Sequence, residues 1–105
     1  MINDEIREMT RRFVEALHPS KIILFGSYAK DTYREDSDYD FYIIMPDNTT
    51  QNLVDATTEA YCSLHGMKGR KPVDILMNTQ SYFDNRKNRI TMERIVNREG
   101  VVLYG

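Results

Sequence analysis

Three aspartates and one glycine-serine pair are the residues of this chain whose types and spacing could do chemistry. Asp38 and Asp40 are separated by a single residue in the run Ser37-Asp38-Tyr39-Asp40, at the head of an apolar stretch. On a strand, alternate side chains share a face, so both carboxylates project together while Tyr39 points away. Their Cα atoms then stand about 6–7 Å apart. Across that gap two carboxylates can close on divalent ions spaced about 3.5–4 Å from one another. Oxygen-only donors of this kind suit Mg²⁺ or Mn²⁺ and not zinc. An Asp-x-Asp alone equally describes a solvated strand end.

Gly26-Ser27 directly follows the apolar run Lys21 to Phe25. A glycine between a buried strand and a helix lets backbone amides converge on an anion, and such a turn suits the β- and γ-phosphates of a nucleoside triphosphate. The Ser27 hydroxyl adds a donor, or simply caps the helix. Asp74 is the third acid, alone inside Val73-Asp74-Ile75-Leu76-Met77. Burying an unpaired carboxylate is costly, so Asp74 either lies at an exposed strand edge or meets a cation.

These residues need elements to hold them. Ile2, Ile6, Met9, Phe13 and Leu17 recur at helical spacing and predict a helix over Asn3 to Leu17, capped by Asn3 or Asp4 and ended by Pro19. Lys21–Phe25, Tyr39–Met45 and Val73–Met77 read as strands, and Tyr28–Thr32 as the start of a short helix. A second long helix is expected over Thr50 to Leu64, with Leu53, Ala56, Ala60 and Leu64 on one side and Gly66 and Gly69 beyond its end. A last helix is expected around Arg89 to Asn97, stopped by Gly100 and followed by the apolar run Val101–Tyr104. Helices mixed with at least three strands give an α/β or α+β protein, a small mixed β-sheet flanked by helices.

The bulk numbers narrow the classes. The 105 residues allow one domain and one core, here expected to be a single unit over 1–105. A hydrophobic share of 41% with 29% charged residues fits a globular protein. Fourteen Lys and Arg against sixteen Asp and Glu, net charge -2, give no reason to expect direct binding of a long nucleic acid. The N-terminal MINDEIREMT lacks the basic and then apolar pattern of a signal peptide, and no apolar stretch is long enough to span a membrane. The lone Cys62 is expected as a small core residue of a helix, and a single cysteine suits a cytoplasmic protein. His18 and His65 sit at helix ends without metal-ligand partners at useful spacing, and the six methionines read as core filler. Tyr28, beside the glycine turn, either stacks on a base or packs at the surface. Arg86, Lys87 and Arg89 form a solvated face that could also dock an acidic partner.

Taken together, Gly26-Ser27-Tyr28-Ala29-Lys30, Ser37-Asp38-Tyr39-Asp40 and Asp74 make the pattern G-S-x-A-x…S-D-x-D…D. It resembles the DNA polymerase β-like nucleotidyltransferase superfamily, and in detail the minimal nucleotidyltransferases, over Lys21 to Met77. That resemblance implies a polymerase β-like core in which Asp38, Asp40 and Asp74 hold two Mg²⁺ ions and do the catalysis. It implies that Gly26, Ser27, Lys30 and Ser37 bind the nucleotide, ATP. Lys30 by itself is as readily a solvent-facing helix lysine. The family turn commonly runs Gly-Ser-x-Ala-Arg-Gly. Here Lys30 keeps the positive charge and Asp31 replaces the glycine, a residue that tolerates a left-handed backbone better than most. Proteins resembling this one are typically paired with a HEPN-domain ribonuclease toxin, in a hetero-oligomer. They act as its antitoxin by moving AMP from ATP onto a tyrosine. The alternatives are transfer to a small hydroxylated molecule such as an aminoglycoside, and neutralisation of the partner by contact alone.

Overall fold

The structure is a computed structural model that describes residues 2–105. Helix α1 spans Asp4–Leu17. Asn3 caps it, its Oδ1 accepting from the Ile6 amide at 2.8 Å. The spacing of three and four residues buries Ile6, Met9, Phe13 and Leu17 along one side. His18 ends the helix in a left-handed conformation (φ 49°), and Pro19 prevents its continuation.

Four strands follow: β1 (Lys21–Phe25), β2 (Tyr39–Met45), β3 (Val73–Thr79) and β4 (Val101–Tyr104). They form one mixed sheet in the order β3-β2-β1-β4. β1 runs antiparallel to both β2 and β4, whereas β2 and β3 are parallel. A parallel pair needs a crossover, and α3 (Leu53–Ser63) supplies it. The remaining helices are α2 (Ser27–Lys30), α4 (Gln80–Arg86) and α5 (Met92–Glu99). Among the described residues no helix is long and apolar enough to cross a membrane.

Strand alternation gives the sheet two different faces. Ile22, Leu24, Tyr39, Phe41, Ile43, Met45, Val73 and Ile75 pack against α1 and against Ala56, Ala60 and Leu64 of α3. Full burial of each large side chain there contributes about 1.5–3 kcal/mol. On the other face Ile23, Tyr42 and Ile44 form a smaller cluster with Phe83 of α4 and Val96 of α5.

Several elements differ from the sequence-based expectation. α4 was not foreseen: its segment is polar, with Phe83 as its one buried anchor and Thr79 Oγ1 accepting from the Tyr82 amide as its cap. α3 begins at Leu53, because Asn52 Oδ1 caps Val54 N at 2.7 Å. α5 begins at Met92, with Thr91 as its cap. Cys62 is exposed, not a core residue; the buried stripe of α3 runs through Ala56 and Ala60 and leaves Cys62 on the outer side.

A buried polar clasp ties α4 and α5 to β2. Glu93 is 6% exposed. It accepts from Tyr42 Oη at 2.9 Å and from Arg86 Nε at 3.0 Å. Burial alone would raise the Glu93 carboxyl, but the hydrogen bonds from Arg86 and Tyr42 outweigh it and hold the group below its usual value. Arg86 is therefore a structural cation, while Lys87 pairs with Asp84 and Arg89 stays in solvent. Replacing Tyr42 by Phe leaves the buried carboxylate one donor short, and we expect a loss of about 1–3 kcal/mol in urea unfolding. A loss within error of zero would show the clasp to be idle.

Candidate active site

Where β1 ends, the chain turns through Gly26 (φ 74°, ψ −154°) into α2. That backbone region is open to glycine and strained for other residues. A second constraint acts at the same atom, because a Cβ on Gly26 would land on Asp40 Oδ2. Gly26 thus forms the floor against which the Asp40 carboxylate lies. The Gly26 carbonyl accepts from the Ala29 and Lys30 amides at 3.1 and 3.3 Å. Asp31 ends α2 in the left-handed region (φ 62°, ψ 26°), with its amide bonded to the Ser27 carbonyl. Aspartate thereby takes the conformation for which the family pattern carries a glycine.

Asp40 sits opposite Phe25 across the β1–β2 pair and beside Asp74 across the β2–β3 pair. By alternation both carboxylates belong to the face of Tyr42 and Ile44, where α4 and α5 pack. Asp38 lies one residue before β2, in the loop and not on the strand proper. Asp40 and Asp38 are half-buried; Asp74, on the edge strand β3, is exposed. Of the two readings open for Asp74, its position is the strand edge, with a carboxylate as its neighbour across the pair.

Burial, then the Asp74 charge, then the Asp38 charge push the Asp40 carboxyl up to about 6. Register therefore brings Asp40 and Asp74 together, with Asp38 close enough to be felt. The three do not converge into a preformed metal-ligating cluster among the described residues. The donor set, acid-only and lacking His or Cys, fits a hard divalent cation such as Mg²⁺. The three would be its ligands, and its charge would offset the burial and the neighbouring carboxylates that raise Asp40.

The other predicted residues fare differently. Ser27 is the first residue of α2 and half-exposed. Ser37 Oγ accepts from the Arg34 amide at 2.8 Å, shaping the loop that delivers Asp38. The Lys30 ammonium lies 2.8 Å from Glu99 Oε1, a partner 69 residues away that no local pattern announces. Tyr28 is buried, with its ring stacked on Tyr33 at 4.3 Å and edge-on to Tyr39. That geometry makes it a core residue, not a platform for a base. A concavity of about 340 Å³ between α1 and β4, lined by Ile2, Arg7, Thr10, Arg11, Val102 and Leu103, shares no residue with the carboxylate site.

The raised Asp40 group has a definite sign in stability. Ionised Asp40 costs the fold energy above pH 6, where folded and unfolded chains are both charged there. The cost fades as pH falls from about 6 towards the ordinary value of 3.8. Asp40→Asn should therefore raise the metal-free thermal midpoint at neutral pH, with the gain shrinking towards pH 4. Mg²⁺ should stabilise the unsubstituted protein and not the variant. Scanning fluorimetry across that range checks both; an Asp40→Asn midpoint below wild type at pH 7.5 would contradict the repulsion.

Comparison with known proteins agrees with this geometry. The nucleotidyltransferase domain model matches residues 5–97. MJ0604 of Methanocaldococcus jannaschii, named as a candidate protein adenylyltransferase, is 33% identical over 100 residues, covering 90% of this chain and 93% of that protein. A crystal structure of a candidate nucleotidyltransferase from Sulfolobus solfataricus superposes with a TM-score of 0.61 at 18% identity, over 91% of this chain and 73% of the other, and so shares the fold. Enzymes of this kind use a nucleoside triphosphate and a divalent metal. With the glycine turn, the aspartate pair and the strand acid placed as described, the chain belongs to the nucleotidyltransferase domain family, as a minimal member of the polymerase β-like superfamily.

Proposed function

We propose that this chain transfers AMP from ATP to a hydroxyl of a partner protein, a tyrosine of a HEPN-domain ribonuclease toxin, and so serves as its antitoxin. The observation that carries the catalytic half is the register Asp40↔Asp74 beside the Gly26 turn. It sets two carboxylates next to the position where the turn would hold the terminal phosphates. The name of the Methanocaldococcus jannaschii relative supports a protein as acceptor.

In this reading Gly26 and Ser27 bind the β- and γ-phosphates, and Ser37 keeps the loop that presents Asp38 in shape. Asp38 and Asp40 would hold one Mg²⁺, and with Asp74 a second. When bound, the ions supply charge neutralisation at the phosphates and polarise the attacking hydroxyl. Asp74, exposed on the edge strand, orients that hydroxyl and takes its proton. The hydroxyl oxygen forms a bond to the α-phosphorus, the bond from that phosphorus to the β-phosphate oxygen breaks, and pyrophosphate leaves.

The acceptor needs a surface to stand on, and α4–α5 offers one on the carboxylate side of the sheet. Ile90 is 95% exposed, and Met92 and Ile95 are exposed beside it on α5. Arg89 and Arg94 are exposed there as well and have no ion pair among the described residues. Apolar anchors with free guanidinium groups suit a protein surface that carries acids around an apolar patch. The same surface supports a second reading, neutralisation by contact alone. Transfer to an aminoglycoside-like molecule draws no support of this kind.

Intact-mass spectrometry of a HEPN-domain protein from the same genome, incubated with this chain, Mg²⁺ and ATP, decides between them. Mass gains in whole AMP units are expected, and none with Asp38→Asn, Asp40→Asn. A tight complex without mass gain would leave contact inhibition. Ile90→Asp with Arg94→Glu should weaken that complex at least ten-fold, by removing a central anchor and one charge match, while Mg-ATP binding stays unchanged. Calorimetry reads both.

A further inference from the structure

Lys30, at the end of the short helix that follows the glycine turn, is already engaged by an anion from the far end of the sequence. Its Nζ lies 2.8 Å from Glu99 Oε1, with both side chains partly in solvent, 52% and 30% exposed. Glu99 is the last residue of α5, and its other oxygen is held by Arg98 Nη2 at 3.0 Å. Gly100 follows, packed so closely on β1 that a Cβ there would strike Ile23 and the Val96 carbonyl. Because Leu24 pairs with Val101, the antiparallel register carries Glu99 alongside the end of β1, where Gly26 stands. Ser27 and Lys30, three residues apart on α2, lie on the same side of that short helix. An ammonium, a carboxylate and the turn therefore meet at one corner of the sheet.

We propose that Glu99 is an internal counter-ion for Lys30, positioning the ammonium at the turn until the terminal phosphates of the nucleotide displace the carboxylate. The inference rests on the nucleotidyltransferase reading and adds to it a residue from α5. Two physical features favour an exchange over a permanent tether. The contact is a charge pair without a hydrogen bond, since Glu99 Oε1 is buried with no hydrogen-bond partner, and the Lys30 end lies half in solvent, so little holds it closed. Arg98 keeps its hold on Glu99 Oε2 when Lys30 leaves, so the carboxylate retains one cationic partner, although its buried Oε1 gives up the ammonium. A triphosphate carries more negative charge than a carboxylate and offers more acceptor oxygens, so the ammonium gains by the change.

The test is calorimetric binding of Mg²⁺ with a non-hydrolysable ATP analogue, and separately of AMP, to four proteins: wild type, Glu99→Gln, Lys30→Met and the double variant. Glu99→Gln should tighten the triphosphate analogue by about two- to five-fold, the range a half-exposed pair permits. Lys30→Met should weaken it about five-fold or more, as loss of a charge-assisted contact does. The double variant should match Lys30→Met alone, because Glu99 acts only through Lys30. AMP, which lacks the terminal phosphates, should bind all four alike. A purely structural Glu99 would lower the unfolding midpoint and weaken both ligands together. Unchanged or weaker triphosphate binding by Glu99→Gln overturns the proposal, as does tightening that persists without Lys30. Wild-type protein that binds no nucleoside triphosphate at all would remove the nucleotidyltransferase reading itself, and the proposal with it. Normal binding that is indifferent to Lys30 removes only the proposal.

Discussion

Two like charges held side by side are the condition around which this small fold is arranged. Asp40 and Asp74 are neighbours because β2 and β3 run parallel in one register, and a parallel pair depends on α3 to carry the chain across. That register is set on the opposite face, where Tyr39, Phe41 and Ile43 of β2 and Val73 and Ile75 of β3 are locked into the main core. A slip of one residue would turn the acids inward and the apolar residues out. The apolar face thus holds like charges side by side, and burial together with the Asp74 and Asp38 charges raises the Asp40 group.

The second face shows what that support leaves free. Close approach of Gly26 fixes one side of Asp40, and the Tyr42–Glu93–Arg86 clasp fixes α4 and α5 two residues further along the same strand. Between them the carboxylates stay partly in solvent, with Asp74 on an edge. A completed apolar cover over this face would bury unpaired acids, at a cost that grows steeply without a cation. Incomplete cover is thus the stable solution as well as the one that leaves room for a substrate.

How much of this the sequence discloses follows from the range of each interaction. The glycine turn, the Asp-x-Asp and the strand acid are legible because each is a local departure from an apolar run. Asn3 as a cap and the buried stripe of α1 are legible for the same reason. α4 escapes because Phe83 alone anchors it and a single buried residue makes no period. Tyr28 and Cys62 mislead in opposite directions. Tyr28 sits beside the turn yet packs on Tyr39, while Cys62 lies on a helix whose inner side was already filled by alanines. Lys30 reads as a free cation until Glu99, which is distant in sequence, arrives beside it. Ser37 reads as a nucleotide contact; that its oxygen also accepts from the Arg34 amide within its own loop is not legible beforehand.

What remains outward is not random in type. The core face has used most of the aliphatic and aromatic residues of the three longer strands, yet Ile90, between α4 and α5, and Met92 and Ile95 of α5 stand in solvent. A single exposed apolar residue needs no explanation, but these three lie within six residues of sequence, beside Arg89 and Arg94, which have no ion pair among the described residues. The described elements are committed to the sheet, the turn and the clasp. In the proposed reading, recognition comes from whatever meets this face. A protein that covered Ile90, Met92 and Ile95 would be held on the same side of the sheet as the carboxylates, so that docking would also bring its hydroxyl towards Asp74. In that reading one shared face couples recognition of the acceptor to the chemistry at the carboxylates.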